Sequence, residues 1–185
     1  MAVDNTVNVA TKTVFKLFDV NDDGVISRED LEKYGARIRD GLKTLNPKEA
    51  DNAYHAVLAI SDAFGLTKNA KDGGLSYSMR EDDIVRRVLA RTELLPNLCR
   101  LYHSAVFKAI DTDKDGYIQR DEWSVYLKLQ NTYTSEEEAQ KSFDSLDKNK
   151  NGKLSLNEFV ELSVDFWCYL GEQSGSQDLY GTDKL

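Results

Sequence analysis

Three stretches of the chain share the residue types and the spacing that could hold a divalent cation. They read DVNDDGVISRED at 19–30, DTDKDGYIQRDE at 111–122 and DKNKNGKLSLNE at 147–158. In each, the first residue is Asp, the third and fifth carry short side-chain oxygens, the sixth is Gly and the twelfth is a carboxylate. Calcium is a hard cation that takes roughly six to eight oxygen ligands, and a loop of this pattern supplies them. The sequence therefore predicts three calcium-binding loops.

The pattern gives each loop position a role. Side-chain oxygens come from positions one, three, five and twelve, a backbone carbonyl from position seven, and a bridging water from position nine. The predicted metal ligands are Asp19, Asn21, Asp23, Val25, Asp30, Asp111, Asp113, Asp115, Tyr117, Glu122, Asp147, Asn149, Asn151, Lys153 and Glu158. The residues predicted to hold a water are Ser27, Gln119 and Ser155.

The loops differ in their charged ligands, which predicts different affinities. The 111–122 loop has four carboxylates at ligand positions, whereas the 147–158 loop has two and is surrounded by lysines, so we expect weaker calcium binding there. In the first loop, position twelve is Asp30 instead of the usual Glu. Its shorter side chain favours coordination through one oxygen, which suits the smaller Mg²⁺. We therefore expect this loop to bind both Ca²⁺ and Mg²⁺.

Apolar residues flank the loops at helical spacing, so each loop should lie between two amphipathic helices. Before the loops these residues are Val14, Phe15, Phe18, Val106, Phe107, Ile110, Ala139, Phe143 and Leu146; after them they are Leu31, Tyr34, Ile38, Trp123, Tyr126, Leu127, Phe159, Leu162 and Phe166. The repeated unit is helix, twelve-residue loop, helix. Because such units work in pairs, three active loops imply a fourth that has lost its ligands.

That inactive loop is expected at about 68–79, with Gly73 and Leu75 at its sixth and eighth positions. Its ligand positions would be Lys68, Ala70, Asp72 and Met79, a set that does not suit a hard cation. The eighth residues of paired loops should form short β-bridges, Ile118 with Leu154 and Ile26 with Leu75. The predicted fold is all-α, with a first pair at 1–94 and a second pair at 95–185 that ends in a tail at 171–185.

Composition excludes several classes of function. The 185 residues carry a net charge of −8, which argues against a nucleic-acid surface rich in Lys and Arg. We expect no membrane anchor, no secretory signal and a cytoplasmic monomer, because no apolar run is long enough to span a bilayer and the first residues lack a leader pattern. Cys99 and Cys168 are expected to be reduced thiols, with a disulfide left open. No catalytic constellation stands out, so we do not expect an enzyme.

The loop motifs and the long separation between the first two active loops resemble the EF-hand superfamily. More narrowly, the chain resembles sarcoplasmic calcium-binding proteins, luciferin-binding (coelenterazine-binding) proteins and calexcitins. The resemblance implies a compact globule of two packed EF-hand pairs in which the first, third and fourth loops bind metal. Calcium-triggered photoproteins share these loops, but they need several His residues, and this chain has only His55 and His103. We therefore do not expect it to emit light by itself.

Three functions follow from these observations. The main expectation is a cytosolic Ca²⁺ and Mg²⁺ buffer. The first alternative is a calcium-triggered carrier of an apolar small molecule, with a cavity lined by aromatics and by Cys168, Trp167 or Tyr126. The second is a sensor that binds partner helices, which the chain's two Met residues disfavour because such grooves rely on flexible Met side chains.

Overall fold

Each predicted calcium loop lies between two helices. The computed structural model describes residues 5–66, 78–81, 83, 94–130 and 135–169. Within this part of the chain the helices are α1 (Asn5–Phe18), α2 (Arg28–Leu42), α3 (Pro47–Ala63), α4 (Leu94–Ile110), α5 (Arg120–Leu129), α6 (Glu136–Leu146) and α7 (Leu156–Tyr169). Two short strands, β1 (Tyr117–Ile118) and β2 (Leu154–Ser155), lie within the third and fourth loops. The all-α fold class is as predicted. None of the described helices is long and apolar enough to cross a membrane.

Polar side chains cap the helices where the loops and connections end. Ser27 is the N-cap of α2: its side chain accepts from the N–H of Asp30, and the Asp30 carboxylate accepts from the N–H of Ser27 at 2.9 Å. Asn46 caps α3 directly before Pro47, and Ser135 caps α6. Because the first N–H groups of a helix lack intrahelical acceptors, these caps determine where the helices begin.

Helices from both ends of the chain pack around one continuous apolar core. Helix α3 packs against α2 and α4, and α4 packs against α7. Phe18 of α1 stacks on Trp167 of α7 with ring centroids 4.9 Å apart and meets Tyr34 of α2 edge-on at 5.0 Å. The predicted division near residue 94 falls at the start of α4, where Pro96 lies in the first turn. The assignment of two separate pairs stays a prediction.

The bridge between the third and fourth loops has the predicted register. Strands β1 and β2 are antiparallel, with Ile118 opposite Leu154 and Tyr117 opposite Ser155. Ile118 and Leu154 are fully buried. The bridge therefore joins the two loops through backbone hydrogen bonds and through side chains that belong to the core.

The predicted pairing of Ile26 with Leu75 is wrong. Ile26 instead pairs with Met79, through N–H to carbonyl hydrogen bonds of 2.7 and 2.8 Å. If Met79 holds the eighth position, the second loop starts four residues later than expected and spans 72–83. The backbone N–H of Arg80 donates to Asp83 Oδ2 at 3.2 Å, the same contact that links Ser27 to Asp30. Most of this loop lies outside the described residues, and its inactivity stays a prediction.

Candidate metal and ligand sites

The three predicted metal loops share one backbone conformation. Their sixth-position glycines have φ values of 82°, 84° and 76° at Gly24, Gly116 and Gly152. This left-handed region is costly for residues with a Cβ, which explains why the turn uses Gly. The fourth positions, Asp22, Lys114 and Lys150, are also left-handed, with φ of 58°, 60° and 55°. The loop pattern gave no sign of this second left-handed position, because the residue type there varies.

In the 19–30 loop, side-chain oxygens turn inward and accept hydrogen bonds from the loop's own backbone. Asp19 accepts from the N–H groups of Asp23 and Gly24 at 3.1 and 2.9 Å, and Asp23 accepts from that of Val25 at 3.0 Å. Asn21 also accepts from the Asp23 N–H, at 3.0 Å. The side chains of positions one, three and five are thus tied to the backbone of this loop, while metal coordination by them and by the Val25 carbonyl stays a prediction.

Asp30 closes this loop with one oxygen engaged and one free of hydrogen bonds. Its Oδ2 accepts from both the backbone N–H and the hydroxyl of Ser27. Its Oδ1 is buried and accepts no hydrogen bond from any described residue. A buried carboxylate oxygen without a donor is costly, and a cation would satisfy it. The donor set therefore fits a metal ion bound through a single Asp30 oxygen.

The 111–122 loop brings three carboxylates together. Oxygens of Asp111, Asp113 and Asp115 lie within 4.8 Å of one another. Asp111 Oδ1 is buried and accepts no hydrogen bond from the described residues. The amide of Gln119 donates to Asp113 at 3.1 Å and to Asp115 at 3.4 Å, so it lies across the ligand oxygens. The cluster suits a hard cation, whose charge would offset the repulsion among these groups.

Glu122, at the twelfth position, is held by two residues of its own loop. Its Oε1 accepts from the backbone N–H and the hydroxyl of Thr112 at 2.8 and 3.1 Å, and its Oε2 accepts from the Gln119 N–H at 3.0 Å. The backbone N–H of Tyr117 donates to Asp115 at 2.9 Å, which ties the seventh position to the fifth, while coordination by the Tyr117 carbonyl stays a prediction.

The 147–158 loop repeats this arrangement with amides in place of two carboxylates. Asp147 accepts from the N–H groups of Asn151 and Gly152 at 3.1 and 2.7 Å. Asn149 donates through its amide to Glu158 Oε1 at 2.7 Å, and Ser155 donates through its hydroxyl to Glu158 Oε2 at 2.7 Å. The N–H of Lys153 donates to the side chain of Asn151 at 2.9 Å. The side chains at positions one, three, five, nine and twelve are therefore held by hydrogen bonds within the loop, while metal coordination by them and by the Lys153 carbonyl stays a prediction.

Lys153 connects the third and fourth loops through its side chain. Its ammonium donates to Asp115 Oδ2 at 2.8 Å and lies 4.9 Å from the centre of the Tyr117 ring. The hydrogen bond from Lys153 lowers the pKa of Asp115 below its ordinary value, and the carboxylate in turn raises the pKa of Lys153. The sequence pattern predicted a role only for the backbone carbonyl of Lys153. It did not predict this side-chain contact between the two loops.

A buried cavity lies between five helices. It encloses about 20 Å³, room for little more than one water molecule. Its walls are almost entirely apolar and aromatic: Val14, Phe18, Tyr34, Val57, Ile60, Phe64, Leu95, Cys99, Tyr102, His103 and Trp167. Of the residues suggested for a cavity, Trp167 lines it, whereas Cys168 and Tyr126 do not. Cys99 supplies the thiol instead.

His103, which lines this apolar cavity, has one unsatisfied ring nitrogen. Its Nδ1 pairs with the carbonyl of Cys99 at 2.9 Å, which assigns the proton to Nδ1. Its Nε2 is buried and has no hydrogen-bond partner among the described residues. Burial lowers the pKa of His103 to about 4, so the ring is neutral and Nε2 is an acceptor at neutral pH. A buried acceptor without a donor suits a ligand that carries an O–H or N–H.

Two tyrosines of the cavity wall belong to a buried hydrogen-bond network. The Tyr34 hydroxyl donates to Gln130 Oε1 at 2.7 Å and lies 3.0 Å from the Tyr102 hydroxyl. Gln130, directly after α5, donates to Tyr102 at 3.3 Å. The network links α2, α4 and the end of α5 at the cavity. Residues so far apart in the chain gave no sequence signal for this contact.

Comparison with known proteins agrees with this architecture. A model of the EF-hand domain pair matches residues 103–163, and a model of a single EF hand matches residues 11–33. The luciferin-binding protein of Renilla reniformis is 31% identical over 170 residues, which cover 92% of this chain and 90% of that protein. The chain therefore belongs to the EF-hand family, and as a member of that family it binds Ca²⁺.

Solved structures place it more narrowly. The crystal structure of the photoprotein clytin superposes with a TM-score of 0.73 at 26% identity, covering 96% of this chain and 93% of that chain. The coelenterazine-binding protein of Renilla muelleri, in its calcium-loaded apo form, gives a TM-score of 0.60 at 26% identity and covers 96% of both chains. The sarcoplasmic calcium-binding protein beta chain of Penaeus sp. is more distant, at 22% identity over 175 residues, covering 91% of both proteins. These similarities favour the small-molecule carrier over the buffer that we expected first.

Proposed function

We propose that this protein is a calcium-triggered carrier of an apolar small molecule of the luciferin type. The observation that carries the proposal is the aromatic cavity with the unpartnered Nε2 of His103. Related proteins bind luciferin or coelenterazine by name. An apolar ligand with a phenol or N–H donor would fill the cavity and satisfy the imidazole nitrogen.

The cavity must widen to hold such a ligand. Pockets for drug-sized molecules enclose roughly 300–1,000 Å³, far more than the 20 Å³ seen here. The ligand-bound form therefore has its helices further apart, and closure of the cavity accompanies release. A ligand that binds only the wider form shifts the population toward it.

The metal loops are connected to the walls of the cavity. Phe18 lines the cavity and directly precedes Asp19, the first predicted ligand of the 19–30 loop. Tyr102 and His103 lie on α4, which leads into the 111–122 loop, and Trp167 lies on α7, which leads away from the 147–158 loop. Metal binding that shifts the ends of these helices therefore changes the space available to a ligand. This connection is the proposed trigger.

Three metal sites are part of the proposal, at 19–30, 111–122 and 147–158. The single free oxygen of Asp30 supports a mixed Ca²⁺ and Mg²⁺ site in the first loop, because Mg²⁺ accepts one-oxygen carboxylates in an octahedral shell. The four carboxylates of the 111–122 loop support the tightest Ca²⁺ site. A buffer would need these loops alone and would leave the cavity without a role.

The carrier role is tested by adding coelenterazine to the purified, calcium-free protein and measuring retained absorbance after gel filtration. We expect one ligand per chain and quenching of the fluorescence of Trp167. Val57→Phe places a ring in the cavity and should abolish retention, while calcium binding measured by calorimetry stays intact. Leu58→Phe, one residue along α3 and not lining the cavity, should retain the ligand. A wild-type protein that binds calcium at the loops but retains no ligand would instead be a buffer.

A further inference from the structure

The two cysteines of the chain face each other inside the protein. Cys99 of α4 and Cys168 of α7 are both buried, and their Sγ atoms are 3.4 Å apart with no disulfide between them. They are 69 residues apart in sequence. Their proximity therefore results from the packing of α4 against α7.

Contacts that need no covalent bond already hold these helices in register. Arg100, next to Cys99, makes two hydrogen bonds to the carboxylate of Glu161, at 3.1 and 3.2 Å. The ring of His103 lies 5.8 Å from that of Phe159 and 6.2 Å from that of Trp167. A disulfide needs an S–S distance of about 2.05 Å, so the sulfurs must approach by little more than 1 Å.

We propose that Cys99 and Cys168 form a site of oxidative modification, which a peroxide converts into an intramolecular disulfide. One thiol loses its proton and attacks a peroxide oxygen, the O–O bond breaks, and a sulfenic acid and one water result. The second thiol then attacks the sulfenic sulfur, the S–O bond breaks, and a second water leaves. The two sulfurs together lose two electrons, and the peroxide gains them.

The environment of the thiols controls when this happens. The hydrogen bond to Cys168 and burial raise the pKa of the Cys99 thiol well above its ordinary value, so little reactive thiolate forms in the closed protein. Cys99 also lines the cavity. Widening of an unfilled cavity would admit a peroxide to this sulfur, whereas a bound ligand would cover it. Oxidation is therefore confined to an open, ligand-free state.

The new bond would restrain the part of the protein that contains two metal loops. Both the 111–122 and the 147–158 loops lie between the two cysteines. A disulfide would connect the helix that enters the third loop to the helix that leaves the fourth. If the cavity carries a ligand, the bond would limit its widening and lower ligand uptake. This consequence and the protection of Cys99 by a bound ligand rest on the proposed function, whereas the capacity of the two thiols to form the bond does not.

The test treats the reduced full-length protein with hydrogen peroxide and follows free thiols and intact mass after alkylation under denaturing conditions. We expect both thiols to disappear in a monomer whose mass falls by about 2 Da, with full reversal by dithiothreitol. In Cys99→Ser and in Cys168→Ser, the remaining thiol should either gain oxygen or stay reduced. Neither variant should show the mass decrease that marks the intramolecular disulfide. Two free thiols in the treated wild type, or independent sulfinic acids on both, would overturn the proposal.

A second arm separates this proposal from the carrier function. Protein saturated with coelenterazine is treated in the same way, and we expect slower loss of thiols than in the ligand-free protein. If the disulfide forms at equal rates in both samples, the modification site stands, and the assignment of the ligand to this cavity fails. If no disulfide forms in either sample, the modification site fails, whatever the ligand does.

Discussion

The ammonium of Lys153 lies 2.8 Å from Oδ2 of Asp115, so the fourth loop contributes a cation to the third. Asp115 is a predicted calcium ligand, and Ca²⁺ must share its carboxylate with this ammonium or displace it. Two loops that are also bridged through Ile118 and Leu154 are thereby coupled by charge as well as by backbone.

Lys153→Met should therefore raise the calcium affinity of the 111–122 loop, by roughly three- to tenfold for loss of one partly screened charge. Lys148→Met is the matched control, because Lys148 is an exposed lysine of the 147–158 loop, to which Lys153 also belongs. Calorimetry together with the NMR shift of the Gly116 amide would measure the site. Equal effects of the two substitutions would show that only net charge matters and that the contact does not.

The 111–122 loop should fill before the 147–158 loop during a calcium titration. It supplies four carboxylates at ligand positions against two, and affinity rises with ligand charge. The amides of Gly116 and Gly152 donate to the first Asp of each loop and report the two sites separately by NMR. Glu122→Gln should weaken the tight site by about tenfold or more, and Glu158→Gln the weaker one. Earlier saturation of Gly152 would reverse this ranking.

Asp30→Glu should shift the 19–30 loop toward calcium, by about tenfold in Ca²⁺ over Mg²⁺ selectivity. The longer side chain could offer two oxygens, whereas Asp30 has one oxygen occupied by Ser27. Competition between the ions, followed at the Gly24 amide, would measure the change. The converse substitution Glu122→Asp should move the 111–122 loop toward Mg²⁺. Lack of any Mg²⁺ response at Gly24 in the wild type would contradict the mixed site.

Acid should destabilise the protein through His103. Its pKa is about 4 in the folded protein against 6.5 in the unfolded chain, so between these values only the unfolded chain takes up the proton. The free energy of unfolding should therefore fall by about 2 kcal/mol from pH 7 to pH 5 on this account alone. Urea unfolding in chelator would measure it. His103→Gln should lose this part of the pH dependence, whereas His55→Gln, at an exposed position, should keep it.

The helices and three of the loops could be predicted because the calcium-loop pattern fixes the position of every residue relative to its glycine. Gly24, Gly116 and Gly152 mark the sixth position, and every other residue of the loop follows by counting. The pairing of Ile118 with Leu154 came directly from that register and is confirmed.

The second loop was misplaced because its glycines do not mark the sixth position. Gly73 suggested a register that the pairing of Ile26 with Met79 contradicts. A better signal was available: each of the three predicted metal loops has a carboxylate three residues after its ninth position, and Asp83 stands three residues after Arg80.

The cavity could not be predicted because it depends on side chains from five helices. An apolar position predicts burial but says nothing about how closely its neighbours pack. The sequence shows a histidine at position 103, yet only the structure shows that one of its nitrogens is satisfied by Cys99 and the other is not. The Tyr34, Tyr102 and Gln130 network is likewise a product of tertiary packing.

The central claim is that calcium controls the occupancy of the cavity by the ligand. A measurement of ligand retention with and without Ca²⁺ tests this claim most directly. Protein loaded with coelenterazine in chelator is passed over a desalting column with and without Ca²⁺, and ligand absorbance is measured in the protein fraction. The account predicts one ligand per chain in chelator and its release once the metal loops are filled. Ligand that stays bound at saturating Ca²⁺, with all three loop glycines showing metal, would contradict it.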